Sequence, residues 1–432
     1  MNGIRPASPS EFEEIYAILE TSFPPDERRA MEDQQALLQE ERYTVYVLPD
    51  KETVAGFLTV WQFSDFAVVE HFAVNPAYRN QGLGGKMLAQ LRALLPCRII
   101  LEVELPENVN VVIETGGASE WQNDVVDASK LQRWVYNSEG LNLVDEQPSA
   151  SMGDAETLAD FLSFAETNYP AEKTAVVFWN HGGGSVSGAS FDEIYGYDSL
   201  TLDEMYAAFS SVWEPSEEEQ PLELVGFDTC LMATVDVANT FSDLAHYLVA
   251  SEETEPANGW YYSQWVGALA ENPDMDGEEL GKIICDAYYA GCEEGTQYNT
   301  TLSLTDLSRV GPLLKAYETF GAEALSAACT DPAFFSQFAR AASQSENYGG
   351  NTKEQGYTNM VDLGHMARQS SGMLGSAQSV LDALDACVLY QVGGQYRSEA
   401  TGLSCYYSYN GDVNDFNGYA GVGAGLAFKY FY

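Results

Sequence analysis

Apolar residues recur at helical spacing over residues 11–19, while residues 43–48 and 54–63 alternate apolar with polar like two paired strands. A further strand is predicted over 66–74, ended by Asn75-Pro76. Arg79-Asn-Gln-Gly82-Leu-Gly84-Gly85 then opens an amphipathic helix through Leu95, and 99–103 reads as the next strand. From residue 109 the pattern changes. Short apolar runs at 109–115, 175–179, 222–227 and 247–250 have the character of strands buried on both faces of a parallel sheet. Helices are expected between them at 155–167, at 202–212 behind a Thr201-x-x-Glu204 capping box, and at 231–244. Past residue 300 helices are expected at 310–325 and 377–388, followed by Gly- and Tyr-rich segments. Alternating strands and helices predict an α/β fold.

The length of 432 residues exceeds one ordinary core, so two or three folded units are expected. The 20 Lys and Arg face 65 Asp and Glu, which argues against nucleic acid and against anionic membrane surfaces as partners. Cationic peptides or calcium would be drawn in, although no EF-hand loop is present and solubility alone accounts for such acidity equally well. Cys97, Cys230, Cys285, Cys292, Cys329, Cys387 and Cys405 are scattered without a CxxC pair, suggesting neither a disulfide framework nor a zinc site. The first ten residues lack the apolar core of a signal peptide, and no apolar run is long enough to span a bilayer. As written, the chain is expected in the cytoplasm.

Two residues carry the candidate chemistry. His181 follows an apolar strand in Phe178-Trp-Asn-His181-Gly-Gly-Gly184, and Cys230 follows another in Val225-Gly-Phe-Asp-Thr-Cys230-Leu-Met. If these strands are parallel neighbours, both side chains emerge at the carboxyl edge of the sheet, where open α/β sheets place their sites. A thiol opening the 231–244 helix would have its thiolate favoured by exposed amides, and His181 would carry the proton to the leaving amine. The amides of Gly182 and Gly183, with that of Cys230, are candidate donors to an oxyanion. A buried structural cysteine and a structural histidine would fit the spacing too. Lipase-like hydrolases also use a His-Gly-Gly-Gly loop, but they need a Gly-x-Ser-x-Gly elbow that this chain lacks.

The sequence resembles the clostripain-like cysteine peptidases, relatives of caspases and gingipains in fold, from about residue 108 to the end. The matching blocks, in family order, are Val109-Asn-Val-Val-Ile-Glu-Thr-Gly-Gly117, Gln132-Arg-Trp134, Met152-Gly-Asp-Ala-Glu-Thr-Leu158, Trp179-Asn-His-Gly-Gly-Gly184, Gly226-Phe-Asp-Thr-Cys-Leu-Met-Ala233, Ser251-Glu-Glu-Thr-Glu-Pro256 and Gly259-Trp260. The resemblance implies a caspase-like parallel-sheet sandwich, no required cofactor, and a His181–Cys230 dyad cutting peptides and proteins after Arg or Lys through a thioester. It places Asp228 at the floor of the pocket for the basic side chain, the alternative being a helix N-cap. Trp260 is either a wall of that pocket or core packing. Many relatives mature by cutting between His and Cys after a basic residue; residues 182–229 contain no Lys or Arg, which predicts no such cut. Relatives are usually secreted.

Val69-Glu-His-Phe-Ala-Val-Asn-Pro-Ala-Tyr-Arg79-Asn-Gln-Gly-Leu-Gly-Gly85 resembles the acetyl-CoA loop of GNAT-family N-acetyltransferases. This implies a partial GNAT α/β unit over 1–107, with acetyl-CoA held at Arg79, Gly82, Gly84 and Gly85. Glu70 is a general base by position or a structural carboxylate. After residue 103 the chain passes directly into peptidase-like sequence, and the elements that complete either family are missing around the join. The expectation is two incomplete units fused near residue 107: a peptidase core over 108–300, then its C-terminal part over 301–432, which also looks truncated. Oligomeric state is not legible. Besides peptide hydrolysis, the sequence leaves open acetyl transfer by the first unit and an inactive fusion.

Overall fold

The computed structural model describes residues 3–23, 28–40, 42–51, 53–63, 66–78, 83–95, 97–101, 109–123, 125–137 and 140–422. The chain divides into two units, Met1–Glu104 and Leu105–Tyr432. The predicted junction at residue 107, and the end of the strand predicted over 99–103, lie outside the described residues.

In the first unit the strands Arg5–Pro6, Tyr43–Asp50, Thr53–Gln62, Phe66–Val74 and Arg98–Leu101 form one sheet in chain order. Neighbours are antiparallel except Phe66–Val74 and Arg98–Leu101, which run parallel. Alternation builds two cores from one sheet. Val45 and Val47 turn to the face covered by the Phe12–Ser22 helix, whereas Tyr46 and Leu48 turn to the face covered by Leu83–Leu94. The predicted helix, hairpin and third strand are all found.

The second unit is built on a five-stranded mixed sheet in the order Val388–Gly393, Thr301–Asp306, Ala245–Ala250, Leu222–Asp228, Ala175–Trp179. The last three strands are mutually parallel, and Thr301–Asp306 runs antiparallel to both its neighbours, Ala245–Ala250 and Val388–Gly393. Helices cover both faces. Leu222, Val225 and Phe227 face the larger core, with the helices Leu202–Val212, Val310–Thr330 and Ala377–Cys387 among those above it. Leu224 and Val249 face the smaller core under Gly277–Gly291. The α/β sandwich holds, and the reversed Thr301–Asp306 strand makes its sheet mixed rather than wholly parallel.

One predicted strand lies elsewhere. Val111–Thr115 is not in the main sheet but pairs antiparallel with Lys130–Asn137, which forms a hairpin with Gly140–Pro148. Its neighbour supplies the reason. Arg133 is buried there and needs anions, taking Glu114 at 2.8 Å and Asp145 at 3.3 Å, so this sheet carries charge on a face that a doubly covered strand could not. Ile113 is accordingly exposed.

Candidate active site

Strand pairing sets the site. Leu222–Asp228 and Ala175–Trp179 run in parallel register from Leu224 opposite Ala175 to Asp228 opposite Trp179. His181 and Cys230 each lie two residues beyond that last pair, on the carboxyl rim of one sheet. His181 is exposed and Cys230 half-buried.

The His181 loop is held by its neighbour. Asn180 Oδ1 accepts from the amides of His181 (2.6 Å) and Phe191 (3.0 Å), and the His181 carbonyl accepts from Ser190 (3.1 Å). Gly182 bridges Ala189, with the Gly183 amide donating to Gly188 at 2.7 Å. In this type of bridge the hydrogen bonds come from the flanking residues, so the Gly182 amide points away from Ala189. Gly182 and Cys230 therefore keep amides uncommitted to any carbonyl among the described residues, whereas Gly183 does not. The expectation that Gly183 serves as an oxyanion donor is corrected on that ground.

The turn after the strand differs from the predicted helix. Cys230 opens no helix; the nearest one, Val235–Thr240, begins five residues later behind Thr234, whose hydroxyl accepts from Val237. The intervening Leu231 has φ +66°, a conformation disfavoured for a branched residue by about 1–3 kcal/mol. It is held there by its amide donating to the Glu253 carbonyl (3.2 Å) and by burial against Tyr348, Met360 and Tyr406. The helix-dipole argument for a thiolate thus falls. Burial and the charges of Glu253 and Asp228 push the thiol above its ordinary range, opposed by the Glu255 amide donating to Sγ at 3.2 Å.

Asp228 is 3% exposed, and the start of the helix at Val235 removes its alternative role as an N-cap. Its Oδ2 accepts from the Trp260 amide at 2.9 Å, and burial raises its pKa. The Trp260 ring belongs to the smaller core and stacks so tightly under Gly226 that a β-carbon there would lie 3.0 Å from it. Core packing thus describes the ring, while the backbone of Trp260 faces Asp228. Sequence reasoning missed Asn180 and Glu255. Both lie in motifs that carry a more conspicuous signal, His181 and the acidic 251–256 block, and what they do depends on amides brought in by the fold.

In the first unit Gly84 packs near Phe72 and Gly85 is open, in the first turn of Leu83–Leu94; Arg79 and Gly82 lie outside the described residues. Glu70 is ion-paired with Arg29 at 2.7 Å.

Residues 102–409 match the Clostripain family, and residues 12–112 match the Acetyltransferase (GNAT) family. Clostripain of Hathewaya histolytica is 26% identical over 200 residues, 39% of this chain and only 38% of clostripain. An uncharacterized N-acetyltransferase of Bacillus methanolicus is 31% identical over 87 residues, 19% of this chain and 72% of that protein. Two solved structures share the fold. The inactive zymogen of a C11 protease from Parabacteroides distasonis has a TM-score of 0.55 at 17% identity, covering 76% of this chain and 89% of its own. A secreted C11 cysteine protease from Bacteroides thetaiotaomicron, in complex with an irreversible peptide inhibitor, has 0.52 at 17%, covering 68% and 84%. Matched over well more than half its length, this chain belongs to the clostripain family of cysteine peptidases, and the segment before that match belongs to the GNAT acetyltransferase family.

Proposed function

We propose that the chain is a cysteine endopeptidase that cleaves after Arg or Lys, with Cys230 as nucleophile and His181 as its acid–base partner. The observation that carries this is the strand register, which leaves both residues two positions past one paired rung. His181 takes the thiol proton as Sγ attacks the scissile carbonyl, which matters more here because burial and nearby carboxylates hold the thiol protonated. The amides of Gly182 and Cys230 receive the oxyanion. On collapse the C–N bond breaks and His181 returns the proton to the leaving amine, leaving a thioester. Water then attacks, its proton passing to His181, and the thiol is expelled. Asp228 binds the basic side chain before the cut, with the Gly259–Trp260 backbone closing that end of the pocket. A fluorogenic peptide ending in Arg should be cleaved by the full chain and not by Cys230→Ala; cleavage surviving that substitution, or absent from the unaltered protein, refutes the reading.

A second reading concerns the first unit alone. The glycine-rich start of the Leu83–Leu94 helix supports acetyl-CoA as a substrate, its pyrophosphate met by the amides of Gly84 and Gly85, and the family resemblance adds Gly82 and Arg79 as further ligands. Acetyl-CoA should then raise the melting temperature of this unit. If neither peptide cleavage nor this protection is seen, the chain is an inactive fusion.

A further inference from the structure

Below the rim, next to Cys230, two carboxyl groups are buried together. Glu255 keeps some surface along its stem, but both carboxylate oxygens are sealed from solvent, with the Trp260 indole N–H facing them as a neutral donor. Its amide donates to Cys230 Sγ at 3.2 Å, so the residue is tied to the nucleophile. Its carboxyl group lies against that of Asp228, and two acids sharing one buried site favour a single proton held between them. Asp228 in turn receives Tyr262 from the Tyr262–Glu271 helix and the Trp260 amide at 2.9 Å. A β-carbon on Gly259, whose φ is +62°, would lie 2.7 and 3.0 Å from the two Asp228 oxygens, so the chain presses close against the carboxyl. Among the described residues, the titratable groups that face the pair are Cys230 from the nucleophile turn, Tyr262, and Cys285 and Tyr288 from the Gly277–Gly291 helix. None of these is a cation.

Two buried acids without a positive partner cannot both be ionised at neutral pH. They either share a proton or receive a cation from outside. We propose that Glu255 is the proton-holding partner of Asp228, so that a cationic side chain entering beside Cys230 displaces one proton from the pair into solvent. This rests on the reading of Asp228 as the floor of the specificity pocket. The exchange balances charge in both states: a singly charged acid pair holds one proton when empty, and the doubly charged pair holds one guanidinium or ammonium when filled. Burial, acting most strongly on Glu255, favours the protonated form of the empty pair. Capture of a basic side chain therefore tightens as pH rises, until the empty pair has lost its proton without help.

The test is calorimetric. An acetylated tetrapeptide ending in arginine amide is titrated into the full-length Cys230→Ala protein near neutral pH, in buffers of different ionisation heat. About one proton released per peptide bound is expected. In the Cys230→Ala, Glu255→Gln double variant, the isosteric amide holds no acidic proton, and release should fall close to zero while the peptide still binds. Binding without proton release, or release unchanged by Glu255→Gln, overturns the proposal. If the double variant fails to fold, the Cys230→Ala measurement still decides. Failure of the peptide to bind at all overturns the pocket reading itself, and the proposal with it.

Discussion

A β-carbon on Gly182 would stand 2.0 Å from the carbonyl oxygen of Cys230 and 2.8 Å from the Thr229 hydroxyl. The glycine after the histidine is thus required by contact with the nucleophile's own backbone. Gly182→Ala must separate the two rim segments or bend one of them. Cleavage should fall by at least about 100-fold, the cost of losing one well-placed oxyanion donor. Alkylation of Cys230 by iodoacetamide should persist, because the thiol itself is untouched. Comparing turnover with alkylation rate checks this; equal losses in both would place the damage at the sulfur instead.

Asn180 organises the other half of the dyad by accepting two amides with one oxygen. Asn180→Ala removes both bonds and should lower kcat roughly 30-fold, each bond contributing about 1 kcal/mol, with little change in KM. Asn180→Asp keeps the acceptor and should stay near the parent rate. Should Asp and Ala prove equally impaired, the acceptor role would be wrong.

The Cys230 thiol has no helix N-terminus behind it, and burial with Glu253 and Asp228 raises its pKa. Alkylation of the substrate-free protein by uncharged iodoacetamide should keep rising with pH, its midpoint above the ~8.5 of an ordinary thiol. A plateau already reached at neutral pH would show a thiolate stabilised by something other than these groups.

Arg397 clamps the segment that holds the nucleophile turn. It pairs with Glu253 and, at 3.2 Å, with Glu346, and lies 5.5 Å over the Tyr348 ring. The same Glu253 accepts the Leu231 amide on its carbonyl and the Gly349 amide on its side chain at 2.9 Å. Arg397→Ala leaves buried carboxylates uncompensated and should cost roughly 3 kcal/mol in urea unfolding. Arg397→Lys should recover only part of that, since one ammonium cannot span both partners.

Because residues 182–229 carry no Lys or Arg, an active protein should remain intact between His181 and Cys230. N-terminal sequencing after prolonged incubation checks this, and a new terminus within that span would contradict the proposed specificity.

Much of the architecture was legible because burial writes itself into periodicity. The strands Ala175–Trp179 and Leu222–Asp228, and the Leu202–Val212 helix with its Thr201 and Glu204 cap, stand where the apolar pattern put them. The helix expected over 231–244 is confined to Val235–Thr240. Leu231 to Ala233 run instead as an irregular turn whose amides are met by Glu253 and Ser251. Periodicity cannot distinguish that from a helix.

Local pattern along the chain is enough to give the alternation of strands and helices, the positions of His181 and Cys230 beyond two buried strands, and the glycines that let backbones come close. It took the folded arrangement to show that Val111–Thr115 leaves the main sheet, that the Gly182 amide has no carbonyl partner among the described residues while the Gly183 amide is spent, and that Glu255 lies against Asp228. The reason is physical: which side chains are apolar is a local property, whereas register, the partner of each amide and the sharing of a proton depend on segments brought together from distant parts of the chain.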